Sequence, residues 1–134
     1  MNEKIHNRFL QYQAAKTRLR EAVQSPGESD IKRDAVIQRF EFTYELLWKL
    51  FKAIAIEEKM ECYSPKTAFQ AAFKINLIDD ERLFVEIIDA RNSTTHLYSE
   101  EDSKVIYAFI KEKVLAAFDQ VEQSIQRYMD QNQK

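Results

Sequence analysis

One glycine, Gly27, and two prolines, Pro26 and Pro65, serve 134 residues. Sheet-rich folds consume special turn residues at every hairpin and bulge, so a chain this poor in them must be long helices joined by few loops. With 45 % apolar and 31 % charged residues it has both a core and a solvated surface. The expectation is an all-α fold: an antiparallel up-and-down four-helix bundle with one additional short helix, residues 1–134 forming a single domain.

Apolar spacing places the elements. Ile5, Phe9, Tyr12, Leu19 and Val23 recur at helical intervals, predicting a first helix over about residues 3–23 that ends at Ser25-Pro26-Gly27. A second runs from near Asp30 to about Met60. On it Phe40, Tyr44, Leu47, Trp48, Phe51 and Ala55 form one stripe, and Phe42, Leu46, Leu50 and Ala53 another. Only Glu41, Glu45, Lys49 and Lys52 remain as a polar ridge, so this helix is central to the bundle, faces a second protein, or both. Ser64-Pro65 opens a short helix to about Ile75 that is expected to bury Phe69, Ala72 and Phe73. A helix capped by Asp79 or Asp80 carries Leu83, Phe84, Ile87 and Ile88 forward. A last one, about 100–130, starts at Ser99 and should bury Val105, Phe109, Leu115, Phe118, Val121 and Ile125.

Several function classes lose support at this level. Cys62 is the sole cysteine, and no apolar leader follows the mixed-charge start, which together point to a cytoplasmic protein. Apolar runs such as Val114–Phe118 are far too short for a bilayer, so no membrane partner is expected. His6, Cys62 and His96 are scattered and suggest no metal site, and one glycine cannot build a phosphate-cradling loop; no cofactor is expected. Net charge is −2, and between Asp79 and Asp102 eight carboxylates face two arginines. A polyanionic ligand would need a cationic cleft assembled from other helices or another subunit.

Within that acidic stretch stands Arg91-Asn92-Ser93-Thr94-Thr95-His96-Leu97-Tyr98. Arg91 is in phase with Phe84, Ile87 and Ile88, so it projects from an apolar face and must be paired or set in a cleft, Glu41 or Glu45 being available carboxylates. On a continuous helix His96 would lie ~140° away from Arg91. The tetrad Asn92–Thr95, however, competes for backbone hydrogen bonds, so the helix should end inside it and turn His96 back. If residues 96–98 are extended, His96 and Tyr98 point to one side. If the ligand is RNA, cleavage without metal needs an acid, a base and a cation at phosphate; histidine can serve as acid or base near neutral pH and arginine grips phosphate bidentately. In-line displacement needs base and acid on opposite sides of phosphorus, so one His96 does not suffice. Two chains about a twofold axis would supply two.

The spacing Arg-x4-His-x-Tyr resembles the signature of the HEPN superfamily, as found in HepT-type toxins and nucleotidyltransferase substrate-binding subunits. The block Arg33-Asp34-Ala35-Val36-Ile37-Gln38-Arg39-Phe40-Glu41-Phe42-Thr43-Tyr44-Glu45-Leu46-Leu47-Trp48-Lys49 is similar to the second helix of the substrate-binding family. Ser64-Pro65-Lys66 and its short helix also sit where that family has them, and the likeness covers roughly residues 5 to 127. The resemblance implies a homodimeric, metal-independent endoribonuclease toxin with RNA as substrate, Arg91 and His96 catalytic and Asn92 supporting. It also implies a cognate minimal nucleotidyltransferase as antitoxin, adding AMP to Tyr98. The alternative it leaves open is a non-catalytic substrate- or nucleotide-binding subunit of a two-component nucleotidyltransferase, with Arg91 and the ridge of Glu41, Glu45 and Lys49 as its cleft or partner surface.

Overall fold

Five helix starts are fixed by the short polar residues that precede them. In the computed structural model, which describes residues 2–132, Asn2 accepts from the Lys4 amide ahead of α1 (Glu3–Gln24), and Ser29 from Lys32 ahead of α2 (Asp30–Glu57). Ser64 and Thr67 form a reciprocal capping box around Pro65, opening α3 (Pro65–Lys74). Asp80 caps α4 (Glu81–Ser93), and Ser99 caps α5 (Glu100–Phe109), whose first turn carries Glu100, Glu101 and Asp102 against the positive end of its dipole. A five-residue π-helical segment, Ile110–Val114, joins α5 to α6 (Leu115–Gln131), so the last predicted helix is one rod with a wide turn in it. The all-helical bundle expected from the sequence is the observed fold. No helix among the described residues is long and apolar enough to cross a membrane.

Helices also need endings, and a chain with one glycine must find them elsewhere. Both α2 and α3 close with Schellman geometry, using Lys59 (φ 60) and Asn76 (φ 65) in the left-handed region. The Met60 amide reaches the Ala55 carbonyl at 2.8 Å, and the Leu77 amide reaches Ala72 at 2.8 Å. Asparagine tolerates this conformation; lysine does so at a cost of about 1 kcal/mol or more. Lys59→Gly should therefore raise the unfolding free energy by up to about 1 kcal/mol, seen as a higher urea midpoint at unchanged slope. An unchanged midpoint would mean that glycine's extra unfolded-chain entropy offsets the relief.

α2 is the axis, packing on α1, α3, α5 and the π segment. Phe40 stacks on Phe118 (6.3 Å between centroids), Tyr12 meets Phe118 edge-on, and Tyr44, Phe69 and Phe84 continue the aromatic seam toward α4. The buried Tyr12 hydroxyl donates to the Phe118 carbonyl at 2.7 Å, which satisfies its one polar group. Lys16 and Arg20 of α1 grip Asp119 of α6 at 2.5 Å each. Burial alone would raise the Asp119 carboxyl; the hydrogen bonds and charges of Lys16 and Arg20 outweigh it and hold it below the usual value. A carboxylate with a depressed folded pKa stabilises above its unfolded value near pH 4 and loses that contribution as pH falls through the folded one. Asp119→Asn should thus destabilise at pH 7 and progressively less toward pH 3, by a modest amount because the pair is partly exposed.

Four expected apolar positions are corrected. Val105 is 66 % exposed and Phe109 only half-buried, because the face that packs carries Ile106 and Ile110, one residue and ~100° further round. Phe73, near the end of the short α3, overhangs its edge at 38 % exposure. Trp48 is half-buried rather than enclosed. On the outer side of α2, Phe42 remains 56 % exposed.

Candidate functional site

The site begins where α4 stops being a helix. Ser93, Thr94 and Thr95 each turn a hydroxyl back onto the carbonyl three residues earlier: Ala90 at 2.8 Å, Arg91 at 2.7 Å and Asn92 at 3.2 Å. Three such bonds in succession draw those carbonyls away from the i→i+4 ladder, and the chain tightens into a 3-10 turn, Thr94–His96. The sequence expectation that the helix ends within Asn92–Thr95 describes this break. The expectation of extended backbone at 96–98 does not. Leu97 sits at φ −87, ψ 82, and the Tyr98 amide donates to the His96 carbonyl at 3.1 Å, an inverse γ-turn. That turn, rather than strand alternation, brings the His96 Nδ1 and the Tyr98 hydroxyl to 3.2 Å with ring centroids 6.1 Å apart. Both side chains are exposed, Tyr98 at 85 %.

Arg91 leaves the last turn of α4 toward α2. Its Nη1 lies 3.2 Å from the Glu41 carboxylate and donates to the Thr94 hydroxyl at 2.9 Å; that hydroxyl in turn lies 2.9 Å from the same Glu41 oxygen. The guanidinium is thus held from two sides while remaining about a quarter exposed. One turn along α2, Tyr44 is buried; its burial pushes the phenol up to about 12, with the Arg91 guanidinium pulling the other way, so the hydroxyl keeps its proton. Glu45 pairs with Lys49 at 3.8 Å on the exposed ridge.

Arg91, Glu41 and Glu45 share the wall of an open groove of about 700 Å³ between α1 and α2, together with Arg18, Arg39 and Phe42. His96, Tyr98 and Lys49 do not line it. Asn92 faces another recess, between α3 and α4, beside Phe73, Val85 and Ile88. Within one chain the structure therefore joins Arg91 to Glu41 and His96 to Tyr98, as two adjacent pairs rather than one cluster. Thr94, which bridges Arg91 and Glu41, was not singled out in the sequence, although its spacing of three from Arg91 marks a helical neighbour. Arg18 and Arg39 were missed too; no local pattern announces a groove shared by two helices.

The chain matches, over residues 7–127, the family described as nucleotidyltransferase substrate binding protein like. A Haemophilus influenzae protein named "Probable ribonuclease HepT" is 32 % identical over 96 residues, 68 % of this chain and 66 % of its own length; the chain thus spans just under two thirds of that relative. A crystal structure from Thermus thermophilus superposes with a TM-score of 0.74 at 31 % identity, covering 87 % of this chain and 97 % of that one. The same fold, with a TM-score of 0.76 and 19 % identity, occurs in the tri-AMPylated HEPN toxin of Shewanella oneidensis in complex with its MNT antitoxin, covering 95 % of this chain and 99 % of that one.

Proposed function

Because the chain belongs to the nucleotidyltransferase substrate-binding protein-like family, we propose that it is a HEPN-type endoribonuclease toxin that works as a homodimer and needs no metal. The observation that carries the reading is the pair of devices at the end of α4: a partly exposed Arg91 fixed by Glu41 and Thr94, and an exposed imidazole on the turn that follows. The Haemophilus relative named as a ribonuclease supports it.

The chemistry assigns the parts. A base takes the proton of the 2′-hydroxyl, the 2′-oxygen attacks phosphorus, and the 5′-oxygen departs with a proton from an acid. The products are a 2′,3′-cyclic phosphate and a 5′-hydroxyl. Imidazole serves either role, and guanidinium offers fixed positive charge to the equatorial oxygens. His96 of one chain would act as base and His96 of a second chain as acid, with the Arg91 side chains between them; Asn92 supports from the preceding turn. Tyr98, exposed and hydrogen-bonded to His96, is the residue to which a minimal nucleotidyltransferase partner would transfer AMP; that the Shewanella toxin is AMPylated and in complex with an MNT antitoxin supports a modification of this kind. The phenol oxygen would attack the α-phosphorus of ATP and release pyrophosphate. An AMP there sits against His96 and adds negative charge where RNA phosphate must come.

The direct test incubates purified, unmodified protein with structured and unstructured RNAs in excess EDTA. Fragments ending in 2′,3′-cyclic phosphate are expected. Intact RNA across a varied panel would exclude the nuclease. The pairing of Arg91 with Glu41, and the absence of His96 from the same groove, favour a second reading: a binding subunit that presents a phosphate-bearing substrate to a nucleotidyltransferase. That reading expects a stable complex with the nucleotidyltransferase and ligand binding without turnover.

A further inference from the structure

The α1–α2 groove carries uncompensated positive charge. Of its two carboxylates, Glu41 is engaged by Arg91 and Glu45 by Lys49. Among the described residues Arg18 and Arg39 form no ion pair; Arg39 is tied only through Nη1 to the Arg18 carbonyl at 2.8 Å, a neutral partner that leaves its charge uncompensated. Ala15 and Ala35 give the groove a low floor, and Phe42, 56 % exposed, stands on its wall. The groove also runs on: a second recess shares Ala35 and Arg39 with it and continues toward the start of α2, where Glu21 lines it and the Lys32 ammonium is already held by the Ser25 and Gly27 carbonyls, so the uncompensated charge ends at Arg39. From Glu45 back to Ala35 the α2 axis rises about 15 Å at ~1.5 Å per residue, enough for a short run of nucleotides.

We propose that this groove is the track for single-stranded RNA leading to Arg91, in which Arg18 and Arg39 hold phosphates flanking the cleaved one and Phe42 stacks on a base. It deepens the ribonuclease reading and rests on it. Unpaired cations along a channel with an exposed aromatic ring are what sequence-tolerant single-strand binding requires: charge follows the backbone, and any base can stack. The track also answers the acidic balance of residues 79–102. The cationic surface a polyanion needs comes from α1 and α2, away from those carboxylates. A duplex, too wide for a recess floored by two alanines between adjacent helices, should not use it.

The test uses the full chain carrying His96→Ala, so that bound RNA stays intact, and a fluorescein-labelled 12-nucleotide single-stranded RNA of mixed sequence. Anisotropy is measured across a salt series. Adding Arg18→Gln and Arg39→Gln should weaken binding about tenfold or more and flatten the log–log salt slope by about 1.4, two phosphate contacts at ~0.7 each. Phe42→Ala should weaken it about tenfold without altering the slope, the mark of lost stacking. Arg18→Gln alone, at an exposed side chain, covers the case in which losing the Arg39 bond loosens α1. Unchanged affinity and slope in these variants overturns the track. So does a shift in sedimentation on removing Arg18, Arg39 or Phe42, which would make the groove a contact between copies of the chain. Cleavage by the parent protein is measured separately. RNA cut with unchanged KM by the groove variants leaves the ribonuclease standing and the track refuted, whereas an uncut panel with tight, groove-dependent binding refutes the ribonuclease alone.

Discussion

Replacing His96 by alanine should lower RNA cleavage by about 10²–10⁴-fold, the usual worth of a positioned acid or base, while leaving the fold untouched. The side chain is exposed, and its one hydrogen bond among the described residues is the 3.2 Å contact with the exposed Tyr98, so the unfolding free energy should move by no more than about 0.5 kcal/mol. Mixed dimers make the experiment sharper. If one phosphate is served by an imidazole from each chain, a dimer of one intact and one His96→Ala chain lacks either its base or its acid and is nearly as slow as the double variant. If each chain cleaves alone, the mixed dimer retains half the parent rate. Co-expressed chains with two different affinity tags, purified through both, decide this by a single rate. Half-activity would discard the shared site and keep the histidine; full activity of the alanine homodimer would discard the histidine as well.

How far the sequence reached depended on the range of the physics involved. Helix starts are local, written in one capping residue and its third neighbour: Ser64 and Ser99 announced theirs, and Asp80 was one of two carboxylates offered for α4. The break after Ser93 was equally local, since three hydroxyls in a row compete with the helix they sit in. The ends of α2 and α3 were harder to place. Left-handed closure normally shows itself as glycine, and here a lysine and an asparagine fill that role, so apolar spacing carries the second helix to about Met60 rather than Glu57. The π segment at Ile110–Val114 has no residue signature, and the face of α5 is hidden with it: Val105 and Ile106 are adjacent in sequence and opposite in fate. Arg91 could be expected to find a carboxylate on α2, because a charge on an apolar face needs one. Glu41 and Glu45 were the two carboxylates offered; that Glu41 rather than Glu45 is the partner, that Thr94 sits between them, and that Arg18 and Arg39 line the adjoining groove depend on how α1, α2 and α4 pack, which no window of sequence contains.

Arg91→Ala should cost about 10²–10³-fold in kcat/KM, the scale seen when one preorganised charge donor is removed from a transition state. Arg91→Lys should restore only part, since a point charge cannot bridge two phosphate oxygens or keep the Thr94 contact in the same plane. Glu41 turns this into a test of how the arginine works. The Glu41 carboxylate engages, at 3.2 Å, a donor that phosphate needs, so substrate must displace a partly exposed ion pair worth up to about 1 kcal/mol. Glu41→Gln removes the charge and keeps an acceptor for the Thr94 hydroxyl, so KM should fall by about two- to fivefold with kcat little changed. In an Arg91→Ala background the same replacement should do nothing to KM, because no guanidinium remains to be released; the cycle then gives a coupling equal to the whole Glu41 effect. If Glu41→Gln instead lowers kcat tenfold at constant KM, the carboxylate aims the arginine rather than restraining it. The ion pair would then be part of the catalytic geometry and would persist when RNA is bound.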